Sequence, residues 1–176
     1  KLLRKQITEY GKTNQVASKK FQEMLETTIQ EYHNRRKFLS EQEAGATQEA
    51  TAESIIKNAT EQALNILKGM QADRESFRKL GLTFEEKAFY DILVAVAKQF
   101  GFDYPKDKAK ELATEVKKIV DDKSKYTDWA KRDDIKAELK MDLILVLAEY
   151  GYPPVTNDEV FKEIFEQAEN FKRYND

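Results

Sequence analysis

Residues 127–154 read TDWAKRDDIKAELKMDLILVLAEYGYPP and decide the fold class. Apolar side chains recur here at spacings of three and four, which places them along one side of an α-helix; they are Ile135, Leu139, Leu143, Val146, Leu147 and Tyr150. Gly151 can adopt the left-handed conformation that ends a helix, and the two prolines after it prevent continuation. The stretch therefore predicts a helix that stops at YGYPP.

Three further apolar residues, Met141, Ile144 and Leu145, lie off this stripe, so the second half of the helix is apolar on nearly every side. Such a helix is normally buried on several sides. We therefore expect it to be the central helix of an all-α domain. Asp128 is a candidate for its N-terminal cap.

Two long helices are predicted before it. The first, about 14–42, is amphipathic, and the second, about 51–79, carries a heptad seam with one polar interruption at Asp73; the seam is Ile56, Ala59, Ala63, Ile66, Met70, Asp73, Phe77 and Leu80. The connection at 43–51 is rich in alanine, glycine, threonine and glutamate. We expect the two helices to form an antiparallel pair, with Gly69 permitting close packing.

Shorter helices surround the central one. Thr83 and Glu86 form a capping box for a helix that ends at Gly101 and buries Phe89, Ile92, Leu93, Val96 and Phe100. Another helix is followed by a charged loop at 121–126, and a capping box at 156–159 begins the last helix.

The predicted fold is an all-α helical bundle, in which a long antiparallel helix pair (about 15–80) packs with a C-terminal multi-helix lobe (about 83–173). Residues 1–12 are expected to be the tail of a preceding helix or a linker, residues 13–81 the pair and residues 82–176 the lobe. Together they form one domain. Lys1 in place of Met suggests a fragment of a longer chain.

Composition narrows the function classes. The 176 residues are 40% hydrophobic and 35% charged, which is typical of a folded helical protein. The chain has no cysteine, so thiolate chemistry and disulfides are excluded. No apolar run is long enough to span a membrane.

The net charge is −2, with +3 on residues 1–81 and −5 on residues 82–176, so any contact with nucleic acid requires a local basic patch. A cytoplasmic location fits these features.

Catalytic motifs are not evident in the sequence. His33 is the single histidine and has no metal-ligand partner at helical spacing. The acidic pairs at 85–86, 121–122 and 133–134 point in different directions on a helix, so we interpret them as surface and capping residues rather than Mg²⁺ ligands. The glycines form no phosphate-binding loop. We therefore predict no catalytic centre.

Two basic sets are candidates for DNA contact. Lys131, Arg132, Lys136 and Lys140 open the central helix, and Arg35, Arg36 and Lys37 end the first long helix. The alternative is an ordinary solvated surface, neutralised in part by Asp133, Asp134 and Glu138. Trp129 and Tyr152 flank the central helix; large aromatics beside turns are usually core residues, and the alternative is that they anchor a partner.

Three blocks of the chain carry a family resemblance. The first block comprises Asp128-Trp129, Arg132, Ala137, Leu139, Lys140 and the closing YGYPP. The second comprises Leu80-Gly81-Leu82-Thr83 with Glu86 and residues 88–91, and the third comprises residues 18–36. In this order they resemble the C-terminal region of the motor (R) subunit of type I restriction endonucleases. Asp142 and Leu145 stand where this family leads us to expect more basic character.

The resemblance implies a role in a larger complex. It suggests a non-catalytic domain that attaches the subunit to the methyltransferase core, with methyltransferase and specificity subunits and double-stranded DNA as partners and no membrane. The parent complex would use ATP, Mg²⁺ and S-adenosylmethionine, with the ATPase and the ATP-dependent deoxyribonuclease activity in other domains and no cofactor in this fragment. The alternative is a stand-alone helical DNA-binding or regulatory protein.

Overall fold

A computed structural model describes residues 1–40, 47–126, 128–154 and 157–175. Within these residues the chain forms seven α-helices, one 3₁₀ turn and no strand, which confirms the all-α prediction. The helices are α1 (Leu2–Gly11), α2 (Gln15–Ser40), α3 (Thr47–Leu80), α4 (Phe84–Gln99), α5 (Lys106–Ser124), α6 (Asp133–Glu149) and α7 (Asn157–Asn175), and the 3₁₀ turn is Trp129–Lys131.

The long helices α2 and α3 pack against each other as an antiparallel pair. Phe21, near the start of α2, lies against Gly69, near the end of α3, where an added Cβ would be 3.2 Å from the Phe21 ring. The predicted close approach at Gly69 is therefore confirmed. Helix α1 packs on α2, and a small core joins the three helices; it contains Ile7, Tyr10, Ala17, Phe21, Leu25, Ile66 and Met70.

Helices α4 to α7 enclose the larger core. Its members include Phe89, Ile92, Leu93, Leu112, Val116, Trp129, Leu139, Leu143 and Ile164. The Thr83–Glu86 capping box forms as predicted, with the Thr83 hydroxyl accepting from the Glu86 amide and the Glu86 carboxylate accepting from the Thr83 amide. Gly151 ends α6 at a φ of 69°, and the Tyr152 amide donates to the Leu147 carbonyl at 2.8 Å. Local chemistry thus sets these helix ends.

Helix α6 is less buried than expected. Its stripe faces the core, but Met141 is 61% exposed and Leu145 is 64% exposed. These two side chains lie opposite the stripe, and α6 packs chiefly on α5, α7 and the 3₁₀ turn. The prediction of a central helix buried on several sides is therefore wrong, because neighbours cover only one face.

Other details also differ from the expectations. Asp128 does not cap α6: it precedes the 3₁₀ turn, its side chain makes no capping bond, and Arg132 is the residue before α6. Ile55 replaces Ile56 in the seam, because a straight α-helix drifts from a seven-residue repeat. Phe100 is 44% exposed because it lies just beyond the last residue of α4.

Two predicted connections are also revised. The charged loop expected at 121–126 is mostly helix, since α5 continues to Ser124. The connection expected at 43–51 includes the start of α3 at Thr47, and its other residues lie outside the described part. Thr156 of the second capping box lies outside it as well.

Candidate interaction surfaces

In the basic set at the start of α6, Lys131, Arg132 and Lys140 are exposed and Lys136 is half-buried, and part of the set forms ion pairs. The guanidinium of Arg132 donates twice to Asp134, with Nη2–Oδ2 at 2.5 Å and Nε–Oδ1 at 3.2 Å, and this holds the pKa of the Asp134 carboxyl below its usual value. Lys140 Nζ lies 3.6 Å from Asp158. Lys131 and Lys136 make no ion pair with any residue that the structure describes. The set is thus a mixture of paired and unpaired cations.

The second basic set lies in the last turns of α2. Arg35, Arg36 and Lys37 are all exposed, and neither arginine forms an ion pair within the described ranges. This end of α2 runs beside α3, where Arg35 is close to Ile55 and Asn58. Helix α6 instead packs in the C-terminal lobe. The two sets therefore lie on separate elements.

Trp129 and Tyr152 both belong to the core. Trp129 is 0% exposed and Tyr152 is 2% exposed. The Tyr152 hydroxyl donates to the Leu93 carbonyl at 2.6 Å, and burial raises the pKa of this phenol. Neither side chain is exposed in this structure, which favours the core interpretation, and the role as an anchor for a partner stays a hypothesis.

Five of the six residues in the acidic pairs have structural partners. Lys117 Nζ lies 2.6 Å from Glu85 and 2.5 Å from Asp121, Glu86 closes the capping box, and Asp122 binds Lys125. Among the described residues no three His, Cys, Asp or Glu side chains are arranged to hold a metal ion. His33 is exposed and packs edge-on against the Tyr32 ring.

The structure contains a buried polar junction between helices that the sequence did not predict. Lys87 is 5% exposed, and its Nζ lies 2.5 Å from Asp91 and 3.3 Å from Asp73. The Tyr10 hydroxyl donates to Asp73, and Asn14 Nδ2 donates to Asp91 at 2.6 Å. These five residues connect α1, the start of α2, α3 and α4. The polar interruption at Asp73 was the sequence signal, but its partners are far along the chain.

The junction perturbs two acidic groups. Burial raises the pKa of the Asp91 carboxyl, although Lys87 and Asn14 act in the opposite direction. Burial and the hydrogen bond to Asp73 raise the pKa of the Tyr10 phenol. An open cleft of about 450 Å³ is lined by Tyr10, Asp73 and Lys87 of the junction together with Phe77 and Phe84. Since the polar groups at its base already bind one another, the arrangement chiefly joins helices.

Gln167 makes a second connection between the two parts of the fold. It is 0% exposed on α7. Its Oε1 accepts from the Gln15 amide at 2.9 Å, and its Nε2 donates to the Thr13 carbonyl at 3.2 Å. The side chain therefore satisfies backbone groups where the chain turns from α1 into α2.

No helix among the described residues is both long and apolar enough to cross a bilayer. The fold and its surfaces define an all-α module in which most buried polar groups bind one another. The chain belongs to the family described as "Type I restriction enzyme HindI endonuclease subunit-like, C-terminal", whose model matches residues 1–174. The resemblance seen in the sequence is therefore confirmed.

Two curated relatives agree with this assignment. The chain is 28% identical over 177 residues to the "Putative type I restriction enzyme MjaIXP endonuclease subunit" of Methanocaldococcus jannaschii, covering 97% of this chain and 15% of that protein. It is 26% identical over 160 residues to the "Type I restriction enzyme HindI endonuclease subunit" of Haemophilus influenzae, covering 89% of this chain and 13% of that protein. The chain thus spans a small part of each relative. No solved structure is significantly similar to it.

Proposed function

We propose that this chain is a non-catalytic assembly domain of a type I restriction endonuclease motor subunit, which attaches that subunit to the methyltransferase core. ATP-dependent translocation and DNA cleavage would belong to other domains. The proposal is supported by the family match over residues 1–174 and by the exposed Met141 and Leu145 on the face of α6 that no described helix covers. An exposed apolar surface of this kind is typical of a binding site for another protein.

The proposal extends to the rest of the complex. The partners are the methyltransferase and specificity subunits, and the location is the cytoplasm, where their DNA substrate is. ATP, Mg²⁺ and S-adenosylmethionine would bind elsewhere in the complex. In the described part of this chain, most of the buried charged and amide side chains are used between helices, as at Lys87 and Gln167.

Co-elution with a reconstituted methyltransferase–specificity core tests the assembly role. We expect the chain and the core to elute together from a sizing column without DNA, because apolar docking does not require phosphate contacts. An unrelated methyltransferase of similar size is the control. Separate elution of the chain and its cognate core, with and without a DNA duplex, would contradict the proposal.

Direct DNA contact is a second candidate function, supported by Arg35 and Arg36 at the end of α2, which are exposed and form no ion pair with a described residue. Each phosphate contact contributes about 0.9 to the slope of log Kobs against log salt concentration. For the double variant Arg35→Ala/Arg36→Ala we therefore expect weaker duplex binding and a slope smaller in magnitude by about 2. Fluorescence anisotropy with a labelled duplex at several salt concentrations measures both.

The control for this prediction is Lys118→Ala/Lys125→Ala. It removes the same charge, but each of these lysines is exposed and already paired, Lys118 with Glu115 and Lys125 with Asp122. We expect its slope to match that of the original chain. If both double variants change the slope equally, binding depends only on net charge and the arginines make no specific contact.

A further inference from the structure

Helix α6 has an apolar stripe on its outer side. Ala137, Met141, Leu145 and Ala148 follow one another at spacings of four, four and three, and all four are exposed. We call them the outer stripe. They lie opposite the buried residues of α6, so no described helix covers them. Only two of these side chains, Met141 and Leu145, are large, so the stripe suits a modest but specific contact.

The two edges of the outer stripe carry different charge. Glu138, Asp142 and Glu149 follow one edge at helical spacing. Lys123 of α5 lies 3.2 Å from Glu138 and 3.3 Å from Asp142, so one cation pairs with two of the three carboxylates along this edge. This edge therefore remains negative.

The opposite edge is closer to neutral. Lys136 and Lys140 lie along it, and Lys140 is 3.6 Å from Asp158 of α7. A partner that lies along the outer stripe therefore meets negative charge on one side only. Charge complementarity requires that its basic residues follow that side alone.

The size of the outer stripe limits what can cover it. From residue 137 to residue 148 an α-helix rises about 17 Å, or three turns. A stable globular dimer buries about 800 Å² on each partner, which is far more than one row of side chains offers. A single amphipathic helix fits a surface of this length and width.

We propose that the outer stripe is the docking site for an amphipathic helix of another subunit of the restriction complex. That helix presents leucine-like side chains to Met141 and Leu145 and lysine or arginine residues to the acidic edge. This inference rests on the proposed function, because it names the surface through which assembly occurs.

The first test uses the complete core. The double variant Met141→Glu/Leu145→Glu places two charges on the outer stripe without disturbing the buried face. Its affinity for the core is expected to fall at least about tenfold, as for the central residues of an interface. The matched control, Ile56→Glu/Leu67→Glu, changes two exposed apolar residues of α3, which are 57% and 41% exposed. It is expected to bind the core like the original chain.

The outcomes separate the inference from the proposed function. Equal binding of the core by Met141→Glu/Leu145→Glu (the α6 variant) and by the original chain would overturn the inference and leave the assembly role intact. If the original chain does not bind the core, the assembly role fails, and a peptide probe decides the inference. A dimer of the original chain that the α6 variant abolishes would assign the outer stripe to self-association and also overturn the inference.

The probe is a synthetic 18-residue helical peptide with a leucine stripe and lysines along one edge. We expect it to bind the original chain and shift the Met141 methyl resonance, with affinity at least about tenfold weaker for the α6 variant. The same peptide with glutamate in place of the lysines is expected to bind more weakly. No binding of the lysine peptide, or equal binding of both peptides, would overturn the proposed chemistry of the partner.

Discussion

Replacement of Lys87 by methionine is expected to lower the free energy of unfolding by about 3–5 kcal/mol, because it breaks a buried ion pair on one side only. Asp91 and Asp73 would remain in place without the ammonium group that now lies 2.5 Å and 3.3 Å from them. Methionine keeps much of the volume, so the loss reports charge rather than packing. Urea unfolding followed by circular dichroism measures it.

The loss of unfolding free energy in Lys87→Met is expected to depend on pH. Burial raises the pKa of Asp91 in the folded chain, while Lys87 lowers it, so removal of Lys87 raises that pKa further. The folded variant then binds a proton at Asp91 more tightly than the unfolded chain does. The contribution of Asp91 to the stability of the variant is therefore greatest below the unfolded pKa of about 4 and is lost as the pH rises through the folded pKa. The deficit should be smaller in mild acid than at pH 7.

Lys118→Met is the control, since Lys118 forms an exposed pair with Glu115. Exposed pairs contribute little to stability, so this variant should unfold like the original chain. If Lys87→Met behaves in the same way at neutral pH, the junction does not hold the helices together.

Local chemistry explains which features of the fold could be predicted from the sequence. The capping hydroxyl of Thr83 and the left-handed Gly151 each act within one turn of the chain, so the residue type alone indicates them. The buried stripe of α6 was also correct, because its spacing matches the helical repeat. Such features require no knowledge of distant partners.

The features that were missed depend on distant residues. Tyr10 binds Asp73 and Asn14 binds Asp91, which are separated by 63 and 77 positions in the chain. No local pattern pairs them. The exposure of Met141 could not be predicted for a similar reason: an apolar residue indicates that burial is favourable, but not which helix supplies the cover.

For the two basic sets, too, the sequence did not indicate which residues would be their ion-pair partners. The helical pattern indicated that Arg132 and Lys140 lie near the surface, and both do. It did not indicate that Asp134 takes both donors of Arg132, or that Lys140 approaches a residue of α7. Arg35 and Arg36 are therefore the stronger candidates for DNA contact, and this contact stays a prediction.

Replacement of Trp129 by alanine is expected to lower the free energy of unfolding by about 3–5 kcal/mol, as for other large core side chains. Its indole is fully buried in the 3₁₀ turn before α6, and the cavity left by alanine would loosen the contact between that turn and the larger core. Trp129→Phe keeps most of the apolar volume and should cost less. Because Trp129 is the single tryptophan, both variants lose tryptophan fluorescence, and circular dichroism is used to follow unfolding.

Trp129→Ala and Trp129→Phe also distinguish a core role of Trp129 from a role as an anchor for a partner. A core role predicts that both variants, under conditions where they are folded, bind the methyltransferase core with nearly the affinity of the original chain. An anchor predicts the reverse: unchanged stability and a marked loss of affinity for Trp129→Ala. Since 0% of the side chain is exposed, reaching a partner would require the 3₁₀ turn to leave the core. The first pattern is therefore the expected one, and the second would show that this turn opens when the complex forms.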